Sequence, residues 1–252
     1  MIVNKIFERI RILPASVLKL LACALMLVDH VGVVFFPTER IYRIIGRLAF
    51  PIFAYFIAEG CKYTRNRLKR FLLILIPGIL FEAVYVLYAG EIEGNVLLTF
   101  SLSILLIYAL GYVKRTWMPD GTAVRRILAL LLFVAALVAC GFLSHFLDVD
   151  YGFPGVLVPV IVSLVHYRQG ETAESFSALD CHPIQLLAFT AALLVLVLEK
   201  GTSSIQIWCL LSVPLMMLYS GKPGTKKLKY LFYIFYPAHL LILEGLYLLI
   251  NR

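Results

Sequence analysis

Charge is scarce in this sequence: Asp, Glu, Lys and Arg make up 15% of its 252 residues, where a soluble domain carries about 25%. Long polar stretches are missing too, so there is no room for a second, water-facing domain, and no convincing internal repeat is visible. The five cysteines, Cys23, Cys61, Cys140, Cys181 and Cys209, form no CxxC pair. They predict neither a metal site nor a disulfide framework and read as small apolar fillers. GxSxG, HExxH and a phosphate-cradling glycine loop are absent, which removes the common soluble-enzyme signatures. The basic start "MIVNKIFERIRILP" lacks an apolar core ahead of a small-residue cleavage site, so no cleavable signal peptide is expected.

What is present is hydrophobicity, at 62% of residues with a mean hydropathy of +0.91. That composition predicts an integral membrane protein. The net charge of +8 does not suggest a nucleic-acid partner, because membrane proteins gather Lys and Arg in cytoplasmic loops. A bilayer core of about 30 Å needs about 20 apolar residues per helix. On that ruler the chain reads as an all-α, polytopic helix bundle, a single transmembrane domain over residues 1–252. About nine spans are expected, near 16–37, 42–61, 70–90, 95–113, 126–146, 151–167, 184–199, 203–220 and 229–250.

The breaks between spans alternate in sign. Lys62, Arg65, Arg67, Lys69 and Arg70 form one basic loop, Lys114, Arg115, Arg125 and Arg126 a second, and Lys222, Lys226, Lys227 and Lys229 a third. Glu91 with Glu93, and Asp148 with Asp150, mark acidic turns. The positive-inside rule then places the amino terminus and the basic loops in the cytoplasm and Arg252 outside. The segment near Glu171 and Glu174 is cytoplasmic only by this alternation.

The first span contains "LMLVDHVGVVFFP", with Asp29 and His30 side by side in a run otherwise fit for lipid. Ionisable groups in hydrocarbon are costly, so they are paired, hydrated or functional. Gly32 lets another helix approach closely there. Just beyond, Arg40, Arg43 and Arg47 fall at i, i+3 and i+7, one helical face in a segment expected to lie outside. The stripe reads either as headgroup-snorkelling arginines or as an inward face that binds an anion or a carboxylate, with Arg47 the better candidate. Pro51 should kink the second span, and Glu59 sits where Lys62 or another basic neighbour could pair with it. Asn95 stands at the mouth of the fourth span, where helix capping is the leading reading. Glu82 has no obvious local partner, and His239 follows Pro237 in the last span. His145, His166 and His182 fall near span ends and read as interfacial or loop residues. The spacing of His30, His239 and the carboxylates favours no metal.

Four stretches, "LKLLACALMLVDHVGVVFFP", "YRIIGRLAFPIFAYFIAEGCKYTRNRLKR", "GNVLLTFSL" and "FYIFYPAHLLIL", resemble the TraX family. The similarity is close over residues 16–70, recurs around 95 and 230–243, and is otherwise only hydrophobic. The resemblance implies an inner-membrane protein related to conjugative pilin N-acetylase, and more distantly to transmembrane acyltransferases such as heparan-α-glucosaminide N-acetyltransferase and the acyltransferase type 3 families. In those relatives a His in an early span is the expected catalytic residue and acyl-CoA the expected donor. Only His30 occupies the matching place here.

The resulting expectation is an acyltransferase that moves an acetyl group from acetyl-CoA to an amine or hydroxyl acceptor at the outer face. The acceptor could be pilin, another peptide, a glycan or a lipid. His30 would act as general base or as nucleophile, with Asp29 orienting that ring or another helix's donor. Arg43, Arg47, Asn95 and His239 are the candidates for donor or substrate binding and for the charge that faces an oxyanion. The basic 62–70 loop is a candidate for the CoA phosphates, and membrane lipid is the surrounding partner. A secondary transporter and a non-catalytic scaffold are the alternative classes.

Overall fold

A computed structural model describes residues 10–117, 121–167, 179–225 and 231–250. Glu171, Glu174, Lys226, Lys227, Lys229 and Arg252, used above to argue orientation, lie outside the described residues.

The described elements are helices, with one isolated parallel bridge between Leu13 and Tyr219. In order come α1 (Ala15–Phe35), α2 (Arg40–Gly46), α3 (Ala49–Tyr63), α4 (Arg67–Ala89), α5 (Val96–Thr116), α6 (Ala123–Phe146), α7 (Gly152–Leu164) and α8 (His182–Lys200). A 3₁₀ segment (Ile205–Leu211), α9 (Ser212–Met217) and α10 (Leu231–Ile250) complete it. Among the described residues, six helical stretches are long and apolar enough to cross a bilayer and three shorter ones are apolar. Each of the nine corresponds to one of the expected spans. The protein is an all-α, multi-pass membrane protein.

The second expected span is two helices. The chain leaves the helix at Arg47 and Leu48 and restarts at Ala49. Pro51 therefore sits in the first turn of α3, where a missing N–H breaks no intrahelical bond. The interruption falls a few residues before Pro51.

Packing groups the chain into two compact units, residues 1–53 with 197–252, and residues 54–196. In the first, α1 packs against α2 and α10, and the 3₁₀ segment packs against α2. Glycines allow the α1–α2 approach: a Cβ on Gly32 would strike Tyr42, and one on Gly46 would strike the Asp29 side chain. The chain segment before α1 is hydrogen-bonded to the one after α9, with Leu13 N–H donating to Leu218 O at 2.9 Å and Ser220 N–H to Leu13 O at 2.8 Å.

In the second unit α5 is the centre, flanked by α4, α6 and α7. Its buried hydroxyls are satisfied by carbonyls. Ser101 donates to Leu97 O at 2.8 Å, Ser103 to Val156 O at 2.8 Å and Thr99 to Asp150 O at 2.9 Å. These α5 side chains are thereby kept in an apolar interior without an unmet donor.

Candidate functional site

Asp29 lies on the face of α1 that meets α2, and it is 7% exposed. The short helix α2 ends with Arg43 in its last turn and Arg47 at its C-cap, so both guanidinium groups reach back over Gly46 toward α1. Arg47 Nη2 donates to both Asp29 oxygens, at 3.2 and 2.9 Å, and Arg43 Nη1 to Oδ2 at 3.1 Å. Arg47 also donates through Nη1 to Gln206 Oε1 and through Nε to Arg43 O, both at 3.4 Å. One carboxylate thus faces two arginines, and this group of three charges carries a net positive charge. Of the two arginines Arg43 is the open one, with 38% of its side chain exposed against 11% for Arg47. Arg40, the third member of the stripe, is exposed.

His30 points elsewhere. Its Nδ1 lies 2.8 Å from Met26 O and 3.3 Å from His239 Nε2, with the two rings edge to face at 4.8 Å. His239 is buried, stacked on Phe235, and its own Nδ1 lies 2.8 Å from Phe235 O. A carbonyl can only accept, so the nitrogen facing it must carry the hydrogen. Both imidazoles are therefore Nδ1–H tautomers. His239 Nε2 offers a lone pair toward His30 Nδ1–H, and the lone pair of His30 is on Nε2. Asp29 takes no part in this pair; its partners are the arginines.

Five of the six expected residues, Asp29, His30, Arg43, Arg47 and His239, lie in the first unit. Asn95 belongs to the second. It caps α5, accepting from Leu97 and Leu98 N–H at 3.1 and 3.3 Å, and donates to Gly78 O at 3.0 Å and Glu82 at 3.2 Å. Those bonds supply the partner that Glu82 lacked in the sequence. Lys62 pairs with Asp180. Gln206 was not anticipated: it is one amide in the apolar run "IQIWCLL", and only its burial beside Arg47 gives it a role.

The family model for "TraX protein" matches residues 15–247. The chain belongs to the TraX family. A probable fimbrial assembly protein FimC, serogroup H1, of Dichelobacter nodosus is 27% identical over 246 residues, covering 90% of this chain and 92% of that protein. Protein TraX of Escherichia coli is 28% identical over 244 residues, 90% of this chain and 85% of that protein. An uncharacterized protein of Rickettsia prowazekii is 32% identical over 95 residues, 37% of this chain and 36% of that one. No solved structure matches the chain. The stretch matched to TraX contains every residue of the Asp29–Arg43–Arg47–Gln206 cluster and both histidines.

Chemically, this TraX-family site offers an imidazole whose Nδ1–H is held and whose Nε2 is the remaining nitrogen, a second imidazole buttressing it, and a positive cluster that begins at the adjacent residue. Such a set can accept a proton and stabilise an anion.

Proposed function

We propose that this TraX-family protein is an acyl-CoA-dependent acyltransferase of the cytoplasmic (inner) membrane. It moves an acetyl group from acetyl-CoA to an amine or hydroxyl acceptor at the outer face, with His30 as the general base. The observation that carries this reading is the state of His30: Nδ1–H is committed to Met26 O and His239, which leaves Nε2 as the basic nitrogen.

In the proposed step the acceptor nitrogen or oxygen attacks the thioester carbonyl carbon while His30 Nε2 takes its proton. The carbonyl becomes a tetrahedral oxyanion, and the positive charge of Arg43 and Arg47 opposes its negative charge. Collapse expels the CoA thiolate, which recovers the proton from His30. While His30 is an imidazolium, its Nδ1–H still has two acceptors, and His239 Nε2 stabilises the added charge much as a triad's third member does. Asp29 is a positioning residue in this scheme: it holds the two arginines in place and keeps the cluster's net charge modest. With a probable fimbrial assembly protein among its relatives, pilin is the first acceptor to try, ahead of other peptides, glycans and lipids.

The test is turnover of labelled acetyl-CoA by the purified full-length protein against that acceptor panel. Donor-dependent labelling that disappears in His30→Ala supports the reading. Labelling that survives in His30→Ala, with the variant folded, overturns it.

A further inference from the structure

The second unit contains a cleft whose lining takes in Lys62 and Arg67 of the basic 62–70 segment. It is small, about 30 Å³, and lies where the end of α3, the start of α4, α5 and the end of α7 converge. Its lining includes Lys62, Arg67 and Lys114, and no carboxylate. These cations are held in place. Lys114 Nζ donates to Ser163 O at 2.6 Å and His166 O at 2.8 Å, carbonyls that orient the ammonium without cancelling its charge. Arg67 lies over the Tyr108 ring, 5.4 Å from its centre, while Lys62 is braced by Asp180, which is not part of the lining.

Two further residues of the lining hold polar atoms without partners. Ser163 is 4% exposed and His166 7%, yet Ser163 Oγ and His166 Nδ1 have no hydrogen-bond partner among the described residues. Buried polar atoms without partners are uncommon and costly, and each one asks what satisfies it. Here a hydroxyl able to donate and a ring nitrogen stand beside an ammonium and a guanidinium. A ligand that met all of them would be anionic and rich in acceptors. A carboxylate presents two oxygens. A terminal phosphate presents three, splayed so that donors from several helices can reach it.

We propose that this cleft binds a phosphate group. The same chemistry could arrive on a soluble phosphate ester such as CoA or on an anionic lipid headgroup. The site is assigned from its own walls, and its test needs no turnover, so it stands or falls separately from the transferase reading.

The experiment uses the full-length protein in phosphatidylcholine nanodiscs. Calorimetric titration with CoA and with inorganic phosphate measures soluble phosphate, and exchange into nanodiscs containing phosphatidylglycerol, read by melting temperature, measures the lipid. Binding of CoA or phosphate that weakens as salt rises assigns a soluble ligand; stabilisation by phosphatidylglycerol alone assigns the headgroup. Arg67→Gln should weaken whichever probe binds by about tenfold or more. Ser163→Ala removes an unpartnered atom, so it should leave the ligand-free melting temperature unchanged or raised while weakening the probe several-fold. That contrast keeps the test decisive even where Arg67→Gln folds poorly. Absence of any response to the three probes overturns the proposal, as does Ser163→Ala binding with wild-type affinity.

Discussion

Arg47 bridges both oxygens of Asp29 through one guanidinium nitrogen, at 3.2 and 2.9 Å, and both side chains are about nine-tenths buried. Removing one partner leaves the other as an unpaired buried charge, which costs about 3–5 kcal/mol. Asp29→Asn and Arg47→Gln should therefore each lower the thermal stability of the detergent-purified protein sharply. The double variant should lose less than the sum of the two, by about 1 kcal/mol or more. Additive losses would mean the two charges do not share an interaction.

Lysine should not replace Arg47. Arg47 spends Nε and both terminal nitrogens on three different partners, Arg43 O, Gln206 and Asp29. A single ammonium cannot reproduce that planar fork. Arg43 makes one bond to Asp29 and is more open. Arg47→Lys should lower both stability and turnover, and Arg43→Lys should be the milder change. Equal effects in a side-by-side melt and activity assay would refute the division of labour.

For the histidines the expectation is ordered. His30→Ala should cost about 10²–10⁴-fold in turnover, the usual contribution of a general base. His30→Gln should fail as well, because an amide cannot take up the proton. His239→Phe keeps the stacking on Phe235 but removes the acceptor for His30 Nδ1–H, so it should slow turnover by less than His30→Ala does. Acid should silence the wild type as the imidazole becomes protonated and loses its lone pair. Turnover that is flat across the acidic limb would argue against a base at this position.

Gly46 is the point of contact between α2 and the Asp29 side chain. A methyl group there must push the carboxylate or the helix aside, at about 1–3 kcal/mol. Gly46→Ala should lower the melting temperature and the activity together. Gly245→Ala, where an added Cβ meets nothing within 4 Å, should do neither. A tolerated Gly46→Ala would show that α1 and α2 approach each other less closely than this packing requires.

Orientation can be read with thiol reagents. In a background freed of the five native cysteines, a cysteine at position 92 should be labelled from outside intact cells and one at position 66 should not. Both positions are exposed in the structure. Labelling at 66 would reverse the proposed orientation.

The helices were legible because a span announces itself in one dimension, as a run of about 20 apolar residues. The Arg47–Leu48 break was not, since hydropathy is blind to where a backbone leaves the helix. Within the site, Asp29 and its arginines could be anticipated because they lie 14 and 18 positions apart on consecutive elements. Asn95 was readable as a cap from its place before an apolar run. His239 stood out as a polar residue in a span, but its contact with His30 joins residues 209 positions apart, and no spacing rule reaches that far. Gln206 carried no signal at all. Its meaning comes from the guanidinium it faces.

The pairing of the strand-like segments around Leu13 and Tyr219 has a consequence for the order in which the protein is made. Arg11 and Tyr219, joined by a 3.0 Å hydrogen bond, are 208 positions apart. At about 5–20 residues per second, the earlier partner leaves the ribosome about 10–40 s before the later one. During that wait the contiguous stretch 54–196 is completed, while the unit formed by 1–53 and 197–252 remains half-synthesised. Asp29 does not have to wait with it: Arg43 and Arg47 follow within 18 positions and neutralise its charge early. The two histidines meet only when α10 emerges. A nascent chain arrested before α10 would already hold the ion pair and still lack the imidazole pair, so the groups that make the buried charge tolerable are assembled first and the proposed proton acceptor is buttressed last.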